Sequence, residues 1–469
     1  MRGRIVIIGV ILGAVFACPY ALAGQPKTLS RTVDGLVIPA QLLSGLVGEK
    51  TERLSVLAER QGSLLAIPFQ IDEMIPDGSE YILGQGPKPN LDKSDGVLSR
   101  QDEIALMVKD LGGRVDPEHW PAEADKIVEV EVIDPLDGTR AWCYVAAFDS
   151  PPPPPQTDYV TWDPDRQEVR TSMYLNGYPP GKNAIYFTRV AGLPPSGGTG
   201  EDFIDRMKTR FHFETLWGLM VFEANEDDAG QQVVREKDGP IRVFRRGRVY
   251  YELPFGIKYN ASGTLQIYWE SFAHAPVEIR IPGGVTSILR EAMVIGTTDF
   301  APAARGMRFF SETDEEGVII DGKMSAKEKD MDPNGFKWRC VTGDPGTLCG
   351  RIITQMPPLP REDKYNVWVD DESRSDPPED HPGMMGCLVE YLDFSALPPG
   401  LWRSAGLVYT PPPNITAKDV KPFLNLEDHP LVLKIAGRLG RSRILPWHPE
   451  LPEDYYLRYQ PLAGEIDLR

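Results

Sequence analysis

Polar and apolar residues alternate with a period of two along most of this chain. Lys126 to Asp134 reads KIVEVEVID, with Val128, Val130 and Val132 on one side and Glu129 and Glu131 on the other. The stretches TRAWCYVAAF, GPIRVFRRGRVYYELPF, GTLQIYWESF and APVEIRI repeat the pattern. Alternation of this kind marks a half-buried antiparallel strand, because successive side chains leave opposite faces of the pleat. Helical spacing is scarce, and its best candidate is GEDFIDRMKTRF, Gly200 to Phe211. The predicted class is all-β: antiparallel β-sandwich domains, with a two-sheet supersandwich as one arrangement, and few helices.

Proline and glycine punctuate the pattern, at 44 residues each in 469, which points to many turns and short strands. The run Pro151 to Pro155 cannot donate ladder hydrogen bonds and is the strongest domain boundary. The expected organisation is an N-terminal β-sandwich over 24–150, a proline-rich linker over 151–157, a large β-sandwich over 158–410, and a C-terminal extension over 411–469 that opens on Pro411 to Pro413. No repeat of fixed period is present, which disfavours a propeller or solenoid.

The first 23 residues change the picture of where the protein works. Arg2 and Arg4 precede an apolar run from Ile5 to Ala17, and Ala21-Leu22-Ala23 supplies a small-x-small site. This is the pattern of a cleavable signal peptide, cut after Ala23, with an apolar run shorter than the roughly 20 residues that span a bilayer. The expected location is extracytoplasmic, periplasmic or secreted, with no transmembrane segment after cleavage. The formal charge of −18 becomes −20 once Arg2 and Arg4 are lost, and a surface so acidic repels a phosphate backbone. Nucleic acid is therefore excluded as a partner, and a glycan or another envelope protein is favoured.

Losing Cys18 with the leader leaves Cys143, Cys340, Cys349 and Cys387. An even number in an oxidising compartment favours disulfides. Cys340 and Cys349 bracket a turn at Asp344-Pro345-Gly346, so a local hairpin bridge is expected, with Cys143 to Cys387 as a weaker second pair. Zinc-finger spacings are absent.

Three groups of residues carry candidate chemistry. The acids Asp92, Asp95, Asp102 and Glu103 surround Gly96 and supply the one cofactor candidate, Ca²⁺; the competing reading, which is favoured, makes Asp95-Gly96 a turn and Asp102-Glu103 the exposed entry to the strand IALMV. The stretch QIYWESFAHAPVEIR places Glu270, His274 and Arg280 near Tyr268 and Trp269. A carboxylate, an imidazole and a guanidinium beside aromatic faces suit a sugar acid or proton transfer; the plainer alternative is a solvated strand face. Arg242, Arg245, Arg246 and Arg248 form a basic run next to Tyr250 and Tyr251, suited to an anionic ligand or to the chain's own carboxylates. No nucleophile elbow and no phosphate-binding loop is present.

Two segments carry a resemblance. Pro68-x-Gln70-x-Asp72 with Asp95-Gly96 and Asp102-Glu103 resembles a P-x-Q-x-D … DG … DE pattern of uncharacterised secreted bacterial β-rich proteins, and KDGPIRVFRR, Lys237 to Arg246, is similar to a DGP-x-RV-x-RR segment in others. A more distant resemblance is to the β-supersandwich of sugar mutarotases and polysaccharide lyases, whose histidine signature is not matched around His212 or His274. The resemblance implies an extracytoplasmic β-protein and assigns no reaction. Two functions remain open: a noncatalytic binding or envelope-assembly module, which is favoured, and a carbohydrate-active enzyme using Glu270, His274 and Arg280.

Overall fold

The computed structural model describes residues 24–450, apart from 79, 87–93, 180–185, 216–217, 219, 229, 254–256, 282–288, 333–336, 355–363, 394, 396–397 and 440–442. Five antiparallel sheets, of three, four, five, six and nine strands, account for the strands among these residues. The all-β expectation holds. The hairpin Leu54–Arg60 to Ser63–Ala66 shows how locally the connections are made: Gln61 and Gly62 form its two-residue loop with φ of 54° and 84°, the left-handed pair that matches strand twist.

Three sheets stack. The middle one is small, with Glu103–Met107 lying between Gly35–Pro39 and Gln70–Asp72. Period two sends Ile104 and Leu106 to one side and Ala105 and Met107 to the other, and all four are buried. Ile104 and Leu106 join Leu36 and Ile38 against Val56, Val128, Val130, Val132 and Val145 of the six-stranded sheet. Ala105 and Met107 pack against Phe244, Leu265, Ile267, Leu407 and Tyr409 of the nine-stranded sheet. A strand covered on both faces has no polar side to show, which is why IALMV is a continuous apolar run.

The nine-stranded sheet is the hub. Its order runs Gly230–Lys237, Val243–Leu253, Ile257–Tyr268, Phe272–Ile281, Gly400–Tyr409, Gly346–Thr354, Trp338–Gly343, Arg308–Ser311, Val318–Ile319. The four-stranded sheet, Val160–Asp163 to Arg189–Gly192, packs through Val160, Val169 and Tyr174 on Val243 and Tyr268. The five-stranded sheet, ordered Met220–Ala224, Ile204–Thr215, Leu289–Phe300, Met384–Asp393, Lys364–Asp371, packs through Ile204, Phe300, Trp368 and Leu388 on Phe309 and Val341.

Several local expectations are corrected. GEDFIDRMKTRF lies largely in the strand Ile204–Thr215 and not in a helix: Arg206, Lys208 and Arg210 alternate with Met207, Thr209 and Phe211, so each class keeps to one face of the sheet. The long helix is Ala417–Asp428, in the segment after Pro411 to Pro413, and its Ala417, Val420, Phe423 and Leu426 are buried on the nine-stranded sheet's cluster. The strand Val432–Leu439 then pairs with Ala124–Ile133, setting Leu433 opposite Val132. Among the described residues no helix is long and apolar enough to cross a membrane.

The Cys340–Cys349 disulfide is present, joining residues that face each other directly across two strands. The second pairing is not formed. Cys143 sits in the cluster between the middle and six-stranded sheets and Cys387 in a separate cluster of the five-stranded sheet, both as buried free thiols.

A chain ending at residue 410 loses the helix from one cluster and Leu431, Leu433 and Ile435 from another. We expect it to bind the dye ANS and to melt at least 10 °C below the full chain; thermal scanning with both proteins checks this, and an unchanged melting temperature would show that the last segment is a mere appendage.

Candidate functional site

The motif residues of the sequence converge, and what they build is closed. Period two places Gln70, Asp72 and Glu103 on the face of the middle sheet that meets the nine-stranded sheet, with Asp72 directly opposite Glu103. Arg242, just before the strand Val243–Leu253, is fully buried between the two sheets. Its Nε donates to Asp72 Oδ2 at 2.6 Å and its Nη2 to Glu103 Oε2 at 2.7 Å. Lys237 Nζ reaches Asp72 Oδ1 at 2.6 Å, and the Tyr81 hydroxyl donates to Glu103 at 2.8 Å. Two cations and two carboxylates thus neutralise one another, with Arg242, Asp72 and Glu103 buried and Lys237 partly exposed. Burial alone raises the pKa of Asp72, but Arg242, Lys237 and the Gln70 amide outweigh it and hold the carboxyl below its usual range.

The turn residues serve the same knot. Gln70 Oε1 accepts from the N–H groups of Ile241 and Arg242, both at 3.1 Å, while its Nε2 donates to the Arg242 carbonyl. Gly239 of the DGP turn lies against that amide; a Cβ there would fall 2.3 Å from Gln70 Oε1. Arg242 also lies 4.8 Å from the Phe244 ring centre and 5.4 Å from those of Tyr81 and Trp269, which adds cation–π attraction in a dry site. Arg245, equally buried, sits 3.6 Å from the Tyr178 ring and 4.3 Å from Trp162 and donates to Gln266 Oε1 at 3.3 Å. Tyr268 is buried too, its hydroxyl bonded to that of Tyr178. Arg242, Arg245, Tyr268 and Trp269 are therefore interior groups.

Of the acids read as a calcium loop, the described ones, Asp95, Asp102 and Glu103, are each engaged by different partners. Asp92 lies outside the described residues. Asp95 caps its own turn by accepting from Val97 N at 2.9 Å, with Gly96 at φ 68°. Asp102 and Glu103 were expected at an exposed strand entry, yet each is only 1% exposed. Asp102 accepts from Met74 N, Ser99 N and Ser99 Oγ at 2.6–2.9 Å, and Glu103 belongs to the Arg242 knot.

The trio around Glu270 is likewise dispersed. Glu270 is bonded by Lys109 and, at 3.0 Å, by Ser172 Oγ. His274 is enclosed between Ile267 and Leu407 of the neighbouring strands, with the Phe272 ring stacked 6.4 Å away. Burial, reinforced by the charge of Arg242, pushes its pKa down to about 3, so the ring is neutral at physiological pH. Arg280 lies on the same strand opposite Leu401, and its side chain is outside the described residues.

Open polar chemistry is found instead on the five-stranded sheet. Lys208, Arg210, His212 and Glu214 recur at period two along Ile204–Thr215. Lys208 and Asp299 form a fully buried pair at 2.8 Å, and desolvation raises Asp299 to about 6 despite that lysine. Arg210 bonds the Asp376 carboxylate and the carbonyls of Asp376 and Pro377. Beyond it opens a groove of about 770 Å³, lined by Arg210, His212, Glu223, Asn225, Asp228 and Glu291 with Phe211, Met293, Ile295 and Tyr391. His212 Nδ1 lies 3.0 Å from Glu223 Oε1 and its Nε2 3.9 Å from Glu291 Oε2. Sequence reasoning passes over this surface: the helical candidate Gly200 to Phe211 covers only its edge, and His212 carries no recognisable histidine signature. The alternation 206, 208, 210, 212, 214 was the available signal.

No protein-family model matches the chain, and no curated protein does. Among solved structures it is similar to an alpha-mannosidase from Enterococcus faecalis V583, with a TM-score of 0.41 and 9% identity over 91% of this chain and 46% of that one. A protein in the glycosyl hydrolase family 38 from Enterococcus faecalis gives a TM-score of 0.42 and 8% identity over 90% of this chain and 48% of that one. The chain spans less than half the length of either protein, and a likeness at this level assigns neither activity nor ligand.

The buried imidazole has a measurable consequence. Its folded pKa of about 3 lies below the ordinary value of about 6.5, so the unfolded chain binds one more proton between these limits and stability falls as pH drops from 6.5 towards 3. Asp299, raised to about 6, and Glu427, raised to about 7, titrate with the opposite sign in the same window. The difference between wild type and His274→Gln therefore isolates the histidine. Urea unfolding at several pH values should show that difference changing by up to about 1.4 kcal/mol per pH unit between 6 and 4; a pH-independent difference would contradict the buried neutral ring.

Proposed function

We propose that this chain is an extracytoplasmic binding module that accepts a glycan in the groove of the five-stranded sheet. The observation that carries the reading is the groove itself: about 770 Å³, the size of an ordinary small-ligand site, and lined by side chains rather than filled by them. Glu223, Glu291, Asp228 and Asn225 offer the paired acceptors and amide that adjacent sugar hydroxyls need, Arg210 supplies donors at one end, and Tyr391 presents an aromatic surface for the apolar face of a sugar ring. The surplus of acids there disfavours polyanions. The leader pattern at Met1 to Ala23 supports the compartment.

A binding role is favoured over turnover at the Glu270 trio by the geometry already given. A proton-transfer catalyst needs groups within reach of a substrate, whereas His274 is enclosed and held neutral, and Glu270 is engaged by Lys109 and Ser172.

The test is calorimetric titration of the mature chain with neutral and acidic oligosaccharides, preceded by a thermal-shift screen, since a ligand of the native state raises the melting temperature by mass action. Binding is expected to weaken at least 10-fold in Tyr391→Ala and in Asn225→Ala while Glu270→Gln binds as wild type. Affinity lost in Glu270→Gln and kept in the two groove variants would overturn the assignment, as would a panel that is silent throughout.

A further inference from the structure

We propose that His212, Glu214 and Glu291 bind a divalent transition-metal ion of the zinc type beside the groove. The three side chains offer ligand atoms that all lie within 4.8 Å of one another, the one such group of His, Cys and carboxylates among the described residues. Their placement follows from the ladder: His212 and Glu214 are two apart on one strand, and Glu291 lies directly opposite Glu214 on the next.

Two features of the ladder point to a cation between them. Like charges directly opposed across antiparallel strands repel, and Glu214 and Glu291 are so opposed; Arg290 takes only Oε1 of Glu214, at 2.9 Å. His212 supplies the second. Its Nδ1 is 3.0 Å from Glu223 Oε1, and because a carboxylate only accepts, Nδ1 carries the proton there. That is the carboxylate–histidine arrangement which orients metal-ligating imidazoles and fixes their tautomer. The other nitrogen, Nε2, then turns towards Glu291 Oε2 at 3.9 Å, too far for a hydrogen bond. With metal–ligand distances of about 2.0–2.2 Å, two ligands of one tetrahedral ion lie about 3.4 Å apart, so the His212–Glu291 pair at 3.9 Å closes by about half an ångström and the widest pair, within 4.8 Å, by at most about 1.4 Å, which side-chain rotation supplies.

The donor set selects the metal. One imidazole nitrogen with two carboxylates suits zinc and its neighbours, whereas calcium takes six to eight oxygens. Three protein ligands leave a fourth position, and His212 and Glu291 both line the groove, so that position faces it. Only this last point rests on the glycan reading: there the ion coordinates a water or a hydroxyl of the bound sugar.

The full mature chain, stripped with EDTA and dialysed, is titrated calorimetrically with zinc chloride in the absence of any glycan. One equivalent is expected to bind with micromolar or tighter affinity, unaffected by millimolar calcium. His212→Ala and Glu291→Gln should each weaken binding at least 100-fold, Glu223→Gln by about 10- to 100-fold through loss of its hold on the ring, and His119→Ala not at all. Metal-free melting temperatures of the variants, expected to match wild type, separate ligand loss from misfolding. Absence of micromolar binding by wild type, or binding by His212→Ala equal to wild type, overturns the site. Glycan titration in EDTA is scored separately, so that failure of the metal site and failure of the glycan reading give different results.

Discussion

A guanidinium with no access to water is the constraint on which the stack of sheets depends. Removing such a charge from solvent costs several kcal/mol, and only close countercharges offset it. Arg242 therefore fixes what the middle sheet must present: Asp72 and Glu103, side by side on adjacent strands, facing the nine-stranded sheet. The rest follows. Gln70 must accept from the N–H groups of Ile241 and Arg242, the preceding turn must bring a glycine against that amide, and Lys237 must return to Asp72 so that two cations meet two carboxylates. Hydrophobic clusters on both sides of the middle sheet supply the larger share of the burial and fix which face each side chain takes. The charged knot admits one register.

This reassigns the most distinctive residues of the sequence from chemistry to architecture. A site that exchanges ligand with solvent needs side chains whose hydrogen-bonding capacity faces outward. The knot spends that capacity internally, and so do Arg245 with Tyr178 and Trp162 and His274 behind Phe272. The five-stranded sheet differs because only one of its faces is buried in the nine-stranded sheet's cluster. On its other side, Lys208 is sealed against Asp299, and further along the strand Arg210 and His212 are partly open and line the groove.

The β class and the local disulfide were legible because each rests on short-range pattern: alternation for the strands, a turn between Cys340 and Cys349 for the bridge. Ala417–Asp428 was legible in principle, since Ala417, Val420, Phe423 and Leu426 recur at helical spacing and the Asp419 carboxylate accepts from Thr416 N at 2.8 Å. Strand-rich surroundings and Pro422 hid it. What no local pattern contains is the pairing of Asp72 with Arg242 across 170 residues, or of His212 with Glu291 across 79. Alternation says that Glu103 and Glu129 face away from their apolar neighbours, but not that a second layer awaits them; both are buried on paired cations. Polar side chains at period two look alike whether they meet solvent or another sheet.

The central claim is that Asp72 and Arg242 act as one unit that holds two sheets in register. A double-mutant cycle of Asp72→Asn and Arg242→Met, followed by urea unfolding at pH 7, measures it directly. Each single substitution leaves a buried partner uncompensated and should cost about 3–5 kcal/mol. The double variant removes both charges and should cost less than the sum by about 2 kcal/mol or more, near the top of the range seen for contacting groups. Costs that add to within about 0.5 kcal/mol would mean that the two side chains act independently and that the pair does not hold the sheets in register.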